Sequence, residues 1–203
     1  MTDAARQTER VWGRSLIGLL ALLLSACASN RTATPPSAFP PPVMAQLQMG
    51  VMLDIDDAFR SYTHTETLPD RGGTWTLPIG PASVDWLQGL MQARFVSIAG
   101  GSPSMLRFKP RIDRMEISLP HQTGTSFYEA WIQYRVAVIN GAGQTVAEWP
   151  IAAYGKSRDS TMLSADVGLG RAMNQAMRDA TAALAVELQD SARIAAWAAG
   201  GGR

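Results

Sequence analysis

The sequence predicts an α+β fold, a two-layer sandwich in which a mainly antiparallel sheet of about four strands carries two helices on one face. Three observations support this prediction. Apolar residues recur at helical spacing over about 82–97 and again over about 164–190. Three segments between these helices alternate apolar and polar residues, as half-buried strands do. A short apolar run at 49–55 precedes the first helix and predicts one more strand, buried on both faces.

The first half of the domain is predicted from that apolar run, a weak hairpin and a helix. Segments 60–67 and 74–77 are predicted to pair across the turn residues at 69–73. Gly80 and Pro81 then favour a helix start, because proline suits the first helical turn. The apolar stripe of this helix comprises Val84, Leu87, Leu90, Met91, Phe95 and Ile98.

The second half is predicted as a three-stranded meander followed by a long helix. The strands lie at about 105–119, 126–139 and 144–154, and Asn140-Gly141 joins the last two as a hairpin. Apolar residues of the first strand change phase midway, which predicts a β-bulge near Asp113. One face of the final helix is apolar, with Leu169, Met173, Ala176, Met177, Ala180, Leu184 and Leu188.

Composition excludes several classes of function. The chain has 18 basic and 17 acidic residues, and residues 1–26 hold three and two of them. The remainder therefore carries 15 of each (18 minus 3 and 17 minus 2), so we expect no nonspecific nucleic-acid binding. A single cysteine forms neither an intramolecular disulfide nor a cysteine-rich zinc site. We expect no cofactor and no bound metal.

The amino terminus has the pattern of a secretory signal peptide. Three arginines lie within residues 1–14, an apolar run follows at 15–24, and small residues come next. That run is short for a permanent membrane-spanning helix. The junction reads Leu24-Ser25-Ala26-Cys27.

These four residues resemble the lipobox of bacterial lipoproteins. The resemblance implies cleavage between Ala26 and Cys27 and a diacylglycerol on the thiol of Cys27, usually with a further acyl chain on its amino group. Two chains anchor a protein stably, since each buried methylene contributes ~0.8 kcal/mol. Ala28 and Ser29 lack the aspartate that resembles an inner-membrane retention signal, which favours the periplasmic face of the outer membrane. The alternatives are an ordinary signal peptide cut elsewhere, or an uncleaved anchor with a coincidental cysteine.

Four regions follow from this pattern: a lipoprotein signal peptide at 1–26, a lipidated tether at 27–46, an α+β periplasmic domain at 47–190 and a tail at 191–203. The tether is rich in Ser, Thr and Pro, a composition that favours an extended chain. At ~3.1 Å per residue it would hold the domain up to about 60 Å from the lipid. We expect the glycine-rich tail to fray.

The body of the chain resembles poorly characterised proteobacterial lipoproteins. The segments that carry the resemblance are 130–135 (AWIQYR), 143–149 (GQTVAEW) and 153–157 (AYGKS). The order of elements is also similar to that of accessory lipoproteins of envelope machines, namely the lipopolysaccharide-assembly lipoprotein and the ABC-transport auxiliary lipoproteins. This resemblance implies an accessory role and transfers no catalytic residue.

Candidate catalytic and metal-binding residues are sparse. His64 and His121 lie in predicted turn or hairpin regions, where we expect exposed loop histidines, and no Gly-x-Ser-x-Gly motif is present. Asp54, Asp56 and Asp57 form an acidic cluster that does not continue as a calcium loop, so we interpret it as a solvated strand end. The Gly168-Leu169-Gly170 step is interpreted as a helix entry that requires small residues. We therefore expect no enzymatic activity.

Two groups of residues are candidates for an interaction surface. Arg107, Lys109 and Arg111 alternate on one strand, so their cations should line up about 7 Å apart on its outer face. They form either a solvated face that discourages edge aggregation or a stripe that faces an anionic partner. Phe127 and Trp131 lie out of phase with the core of the next strand. They are either partly covered by the early segment or an exposed aromatic patch.

The expected function is that of a non-catalytic accessory lipoprotein, anchored to a membrane by its lipid, which binds an envelope protein through an open sheet face or edge. The alternative is a carrier of lipid or of a small hydrophobic ligand, which requires an apolar cavity between helices and sheet. An enzyme is a third possibility, and a pocket joining a histidine to a carboxylate would favour it.

Overall fold

A computed structural model describes residues 30–36, 40–69, 73–98, 105–160 and 164–190, together with residues 194 and 196. The predicted signal peptide, Ala26 and Cys27 lie outside the described residues, so cleavage and lipidation stay predictions. The α+β class is confirmed, with eight strands and four helices in these ranges. Of the predicted tail, Ile194 is 1% exposed and belongs to the core, while the glycine-rich end at 198–203, which is expected to fray, lies outside the described residues.

Five strands form the main sheet, in the order β5-β2-β6-β7-β8. Their bounds are β2 Leu47–Leu53, β5 Phe95–Ser97, β6 Leu106–Ser118, β7 Phe127–Ile139 and β8 Thr145–Arg158. The last three pair antiparallel, as the alternation predicted. By contrast, β2 runs parallel to both of its neighbours. The helix between β2 and β6 returns the chain to the starting end of the sheet, and this arrangement gives parallel strands.

A second sheet and four helices complete the fold. The sheet has three strands in the order β1-β4-β3, with β1 Asn30–Thr32, β3 His64–Leu68 and β4 Gly73–Leu77. The helices are α1 Asp57–Arg60, α2 Gly80–Arg94, α3 Pro120–Thr123 and α4 Ala165–Asp190. The hairpin of β3 and β4 agrees with the predicted pairing of 60–67 with 74–77.

The predicted arrangement of about four strands in one sheet with two helices on one face needs correction. Sequence reasoning missed β5, because Phe95–Ser97 follows α2 directly and its apolar residues continue the stripe of the helix. It also missed β1, because this strand lies in a segment interpreted as a tether. Short edge strands carry too little alternation to be predicted from the sequence alone.

The predicted β-bulge is confirmed in β6. Ile112 pairs with Tyr134 and Arg114 pairs with Gln133, so Asp113 is the extra residue of the strand. Leu106, Phe108, Met115 and Ile117 are all buried although they are out of phase in the sequence. The bulge therefore keeps both halves of β6 facing the same core.

The hairpin between β7 and β8 forms, but its turn is longer than Asn140-Gly141. Asn140 Oδ1 accepts the backbone N–H groups of Ala142 at 3.0 Å and Gln144 at 2.9 Å. Gly143, rather than Gly141, adopts the left-handed conformation, with φ of 80°. The asparagine side chain thus organises the turn by mimicking backbone hydrogen bonds.

Glycines allow α4 to approach the sheet very closely. A Cβ on Gly155 of β8 would lie 2.1 Å from the Ala172 carbonyl oxygen of α4. A Cβ on Gly168 would lie 2.3 Å from the ring of Tyr128. The Gly168-Leu169-Gly170 step is therefore a packing device, in agreement with its interpretation as a helix entry. This contact leaves no room for a ligand between α4 and β8.

Buried side chains also fill the space between α2 and the sheet. Tyr134 is 1% exposed, its hydroxyl lies 3.0 Å from Ser83 Oγ, and its ring makes an edge contact with Trp86 at 5.4 Å. Burial raises the pKa of Tyr134 to about 12. The hydroxyl pair satisfies two polar groups that would otherwise be costly in this interior.

The segment before β2 packs on the fold, in contrast to the predicted tether at 27–46. Ala33 is 1% exposed, and its backbone N–H donates to the Thr76 carbonyl oxygen of β4 at 3.2 Å. Farther along, the buried side chain of Arg94 donates to the carbonyl oxygens of Ala45 and, at 3.2 Å, of Leu188. These contacts attach the segment at both ends of its described part.

Residues 31–36 lie against α4, which they contact at Gly170 and Asn174. A Cβ on Gly170 would lie 2.8 Å from the Thr34 carbonyl oxygen, so only glycine permits this approach. Asn174 Nδ2 donates to the Pro36 carbonyl oxygen at 3.2 Å. An extended chain has outward-pointing backbone acceptors, which is why a Pro-rich segment could dock here despite its lack of large apolar residues.

Candidate functional site: the outer face of the five-stranded sheet

The outer face of the main sheet is formed by the side chains of β6, β7 and β8 that point away from the core. We divide it into two parts. The charged row lies near the start of β6 and includes Asp56 from the N-cap of α1. The aromatic row lies near the start of β7, toward the opposite end of the sheet. The charged row comprises Asp56, Lys109, Arg111, Asp113, Arg135 and Glu148. The aromatic row comprises Phe127, Trp131, Tyr154, Lys156 and Arg158, with Glu129 between them.

The structure places the predicted cations on this face as expected. The side chains of Lys109 and Arg111 are 49% and 63% exposed, and Arg107 is half-buried. Alternation along β6 explains the arrangement, because Leu106, Phe108 and Pro110 point the other way.

Carboxylates accompany these cations, which the sequence reasoning did not predict. Arg111 Nε lies 2.7 Å from Asp113 Oδ1, and Lys109 Nζ lies 4.0 Å from Asp56 Oδ2. Arg135 Nε lies 2.9 Å from Asp113 Oδ2 and 3.6 Å from Glu148 Oε1. The hydrogen bond and charge of Asp113 raise the pKa of Arg135 above its ordinary value. The stripe is therefore a surface of mixed charge rather than a purely cationic one.

An open cavity of about 310 Å³ lies on the charged row. It is lined by Asp56, Lys109, Pro110, Arg111, Arg135, Ala137 and Glu148. This lining contains neither histidine nor a cysteine or serine nucleophile. The arrangement suits recognition of a partner with both signs of charge, because exposed ion pairs contribute little stability and can exchange their partners.

Trp131 and Tyr154 lie directly opposite each other on β7 and β8. Their ring centroids are 5.3 Å apart with the planes tilted by 35°, and they are 38% and 37% exposed. The Tyr154 hydroxyl donates to Glu129 Oε1 at 2.6 Å, and Ser118 Oγ donates to the other carboxylate oxygen at 3.1 Å. The bond to Glu129 raises the pKa of Tyr154 to about 12. The pair is thus held rigidly and still presents apolar area.

Phe127 is half-buried, and residues of β8 cover it. Lys156 Nζ lies 5.0 Å from its ring centroid and Arg158 Cζ lies 6.0 Å away. Phe127 and Trp131 point to the same side of β7, because an even number of residues separates them, and Trp131 is the more exposed of the two.

The two histidines lie away from the cavity and differ from each other. His64 is in β3, its side chain is 19% exposed, and its Nε2 lies 3.2 Å from Glu66 Oε2. It is therefore not the exposed loop histidine that was expected. Glu66 Oε2 also accepts the Ile117 backbone N–H at 3.2 Å. This hydrogen bond provides a partner for Ile117 in a part of β6 that does not pair with β2. His121, on α3, is exposed as expected.

The acidic cluster has a structural role that sequence reasoning did not assign. Asp56 is the N-cap of α1, and its Oδ1 accepts the Phe59 backbone N–H at 2.8 Å. An aspartate followed by an acidic first turn is a signal for such a cap. Within the described ranges, no group of three His, Cys, Asp or Glu residues is arranged to hold a metal ion.

Six members of the outer face were not singled out by the sequence analysis, namely Glu129, Arg135, Glu148, Tyr154, Lys156 and Arg158. Each of them is out of phase with the core residues of its strand, so alternation alone places them on the outer face. Which residues then meet across the strands depends on register. The turn at 140–144 sets that register and pairs Ile139 with Thr145. A two-residue turn at Asn140-Gly141 would instead pair residue 139 with residue 142.

Comparisons with known proteins give remote similarities of fold. No protein-family model and no curated protein matches the sequence. A Xanthomonas campestris protein described by the DUF330 family model is similar over 79% of this chain and 95% of its own, with 15% identity and a TM-score of 0.47. A candidate lipoprotein from Caulobacter crescentus covers 60% of this chain and 84% of its own, with 15% identity and a TM-score of 0.42.

A third solved structure is a candidate homologue of the neuraminyllactose-binding hemagglutinin from Helicobacter pylori. It covers 84% of this chain and 90% of its own, with 10% identity and a TM-score of 0.33. In the part of the chain that the structure describes, no helix combines the length and apolar character needed to cross a membrane.

Proposed function

We propose that this protein is a lipid-anchored envelope lipoprotein that acts without catalysis and binds a protein partner through the outer face of its main sheet. The anchor is the acylated Cys27 that the sequence Leu24-Ser25-Ala26-Cys27 implies. The periplasmic side of the outer membrane is the proposed location, since Ala28 and Ser29 follow the cysteine.

The observation that carries the binding proposal is the pair Trp131 and Tyr154, two large aromatic side chains exposed side by side on a rigid sheet. Aromatic residues of this kind dominate the energetics of protein interfaces, and tyrosine and tryptophan are enriched at their centres. The neighbouring charged row would supply orientation, because Arg111, Arg135 and Glu148 can exchange ion pairs with a partner.

Photo-crosslinking in intact cells tests the binding surface. A photoreactive residue at Trp131 or Lys109 should give the same discrete protein adduct, whereas one at Arg178, exposed on α4, should not. Arg111→Glu should weaken the adduct at Trp131, and Arg178→Glu should leave it unchanged. Equal adducts at Trp131 and Arg178, or none at either position of the sheet, would contradict the proposal.

Metabolic labelling with palmitate tests the anchor separately. We expect label on the native protein and none on Cys27→Ser, which should leave the membrane fraction or accumulate as precursor. Equal labelling of both forms, or a Cys27→Ser protein that is processed and retained in the membrane like the wild type, would refute the assignment of Cys27.

A further inference from the structure

The contacts of residues 30–36 limit how far the fold can stand from a lipid attached at Cys27. Asn30 follows Cys27 by only three positions. An extended chain spans at most about 3.6 Å per residue, so three residues bridge no more than about 11 Å. The headgroup layer on either side of a bilayer is itself about 5 to 7 Å thick. A lipidated chain would therefore hold Asn30 at the membrane surface.

The described contacts identify the end of the fold that Asn30 marks. The Arg31 guanidinium carbon lies 5.6 Å from the ring centroid of Trp75. Hydrogen bonds from Ser164 and the backbone lower the pKa of Asp166, and the charge of Arg31 acts in the same direction. The Thr34 carbonyl oxygen lies 2.8 Å from a Cβ placed on Gly170, near the start of α4, and the same part of α4 packs on Tyr128, the second residue of β7. Arg31 and Thr34 therefore lie at the end of the fold where α4 and β7 begin.

The side chains at this end suit a lipid headgroup layer. Phe127 begins β7, and Lys156 and Arg158 lie over its ring from the last residues of β8. An aromatic ring flanked by long cationic side chains is typical of membrane interfaces, where the ring enters the headgroup level and the cations reach phosphates. The same end also holds Asp159, which accepts the Tyr128 hydroxyl at 3.1 Å, Asp166 at the start of α4, and Glu129, which lies opposite Lys156 and accepts the Tyr154 hydroxyl.

We propose that this end, defined as the proximal surface of Arg31, Phe127, Lys156 and Arg158, rests on the phospholipid bilayer. The inference rests on the proposed lipidation of Cys27 and adds an orientation to it. Because β7 has 13 residues that rise about 3.3 Å each, the turn at 140–144 stands up to about 40 Å farther from the membrane. The charged row lies toward that far end and faces the periplasm. Phe127, Lys156 and Arg158 lie at the bilayer, whereas Trp131 lies four residues, or about 13 Å, farther along β7, where a protein partner can contact it.

Quenching by lipid headgroups tests this orientation on the lipidated full-length protein. Cys27 is the only cysteine, and acylation blocks its thiol, so one introduced cysteine takes a fluorophore selectively. Ser126→Cys labels the proximal end and Ala142→Cys labels the far turn, and both positions are exposed. The labelled proteins are placed in phosphatidylglycerol-containing vesicles that carry a nitroxide on the lipid headgroup.

We expect the label at residue 126 to lose most of its fluorescence and the label at residue 142 to lose little. Equal quenching at the two positions, or stronger quenching at residue 142, would overturn the proposal. A matched control inserts twenty Gly and Ser residues after Ser29, which adds a reach of about 25 Å as a flexible coil. The insertion should reduce the quenching at residue 126, and an unchanged value would refute the short link as its cause.

The proposed lipidation and the proposed orientation fail in different ways. If Cys27 is not acylated, the wild-type protein does not bind the vesicles and neither label is quenched. If the protein is acylated and bound while both labels are quenched alike, the anchor stands and the orientation is wrong. Fractionation of the vesicles before the fluorescence measurement separates these cases.

Discussion

Individual glycines determine how closely the layers of this fold approach. Gly155 and Gly168 bring α4 onto β7 and β8 at distances that exclude a Cβ. Gly89 of α2 contrasts with them, because no atom outside its own helix lies within 4 Å of a Cβ placed there. The same residue type is thus required at one site and dispensable at another, and only the environment distinguishes the two.

The first prediction concerns this contrast. Gly155→Ala should lower the free energy of unfolding by about 1 to 3 kcal/mol, because the methyl group collides with backbone atoms of α4. Gly89→Ala should raise it by about 0.5 to 1 kcal/mol, since alanine restricts the unfolded chain and favours helix. Urea unfolding of the two variants measures both effects. A Gly155→Ala protein as stable as the wild type would contradict the close packing of α4 on β8.

The second prediction follows from the buried hydroxyl of Tyr134. Burial raises its pKa to about 12 in the folded state, whereas the unfolded side chain titrates near its ordinary value of 10.0. Between these values the unfolded state loses a proton that the folded state keeps. The contribution of the neutral Tyr134 side chain to the free energy of unfolding is therefore complete below pH 10 and is lost as the pH rises toward 12.

Tyr134→Phe removes this titration, so comparison of the variant with the wild type tests the prediction. Above pH 10, the free energy of unfolding of the wild type should fall more steeply than that of the variant, by at most about 1.4 kcal/mol per pH unit. At pH 8 the variant should be less stable by about 1 kcal/mol, through loss of the hydrogen bond with Ser83. Parallel pH profiles for the two proteins would show that Tyr134 titrates normally.

At the level of elements, alternation predicted β6, β7 and β8, the bulge and both long helices, because each buries one continuous face. The phase change around Asp113 was sufficient to place the bulge. By contrast, β1 and β5 have three residues each and depend on partners distant in sequence. The outer face was predicted only in part. Alternation placed Arg107, Lys109 and Arg111 on one strand, whereas the carboxylates beside Lys109 and Arg111 come from the N-cap of α1 and from the bulge.

The third prediction tests the bulge. Deletion of Asp113 should leave a folded protein, because Ile112 and Arg114 already pair with consecutive residues of β7 and the apolar residues would then alternate regularly. Deletion of Arg111 is the matched control and should strongly destabilise the protein. This deletion would turn Ile112 to the outer face and Asp113 into the core. Circular dichroism and urea unfolding compare the two deletions, and equal damage from both would show that the bulge is needed in itself.

At the level of the whole molecule, the amino-terminal segment is part of the fold. Ala33 and Pro35 are buried, Arg31 lies over Trp75, and β1 completes the three-stranded sheet. Sequence composition alone indicated a tether, because Ser, Thr and Pro offer little apolar area. The segment docks on Gly170 and Asn174 of α4 and on Thr76 of β4. These residues are distant in the sequence and meet the segment only after folding, so its docking could not be predicted from the segment itself.

The fourth prediction measures that contribution. The free energy of unfolding of a chain that begins at residue 40 should be about 2 to 4 kcal/mol lower than that of a chain that begins at residue 28. The shorter chain loses buried area, the contact of Arg31 with Trp75 and the hydrogen bonds to β4. Both chains begin after the predicted signal peptide and Cys27, so the proposed lipidation does not affect the comparison. Equal stabilities would show that residues 30–36 do not contribute to the fold.

The pairing of β1 with β4 also restricts the order in which the protein can fold. β1 lies at residues 30–32 and β4 at residues 73–77, so the sheet closes only after the intervening chain is available. Contacts between distant segments must wait for loop closure. A chain exported with its amino terminus first, as the proposed lipidation requires, therefore leaves β1 without its partner strand until β4 has crossed the membrane.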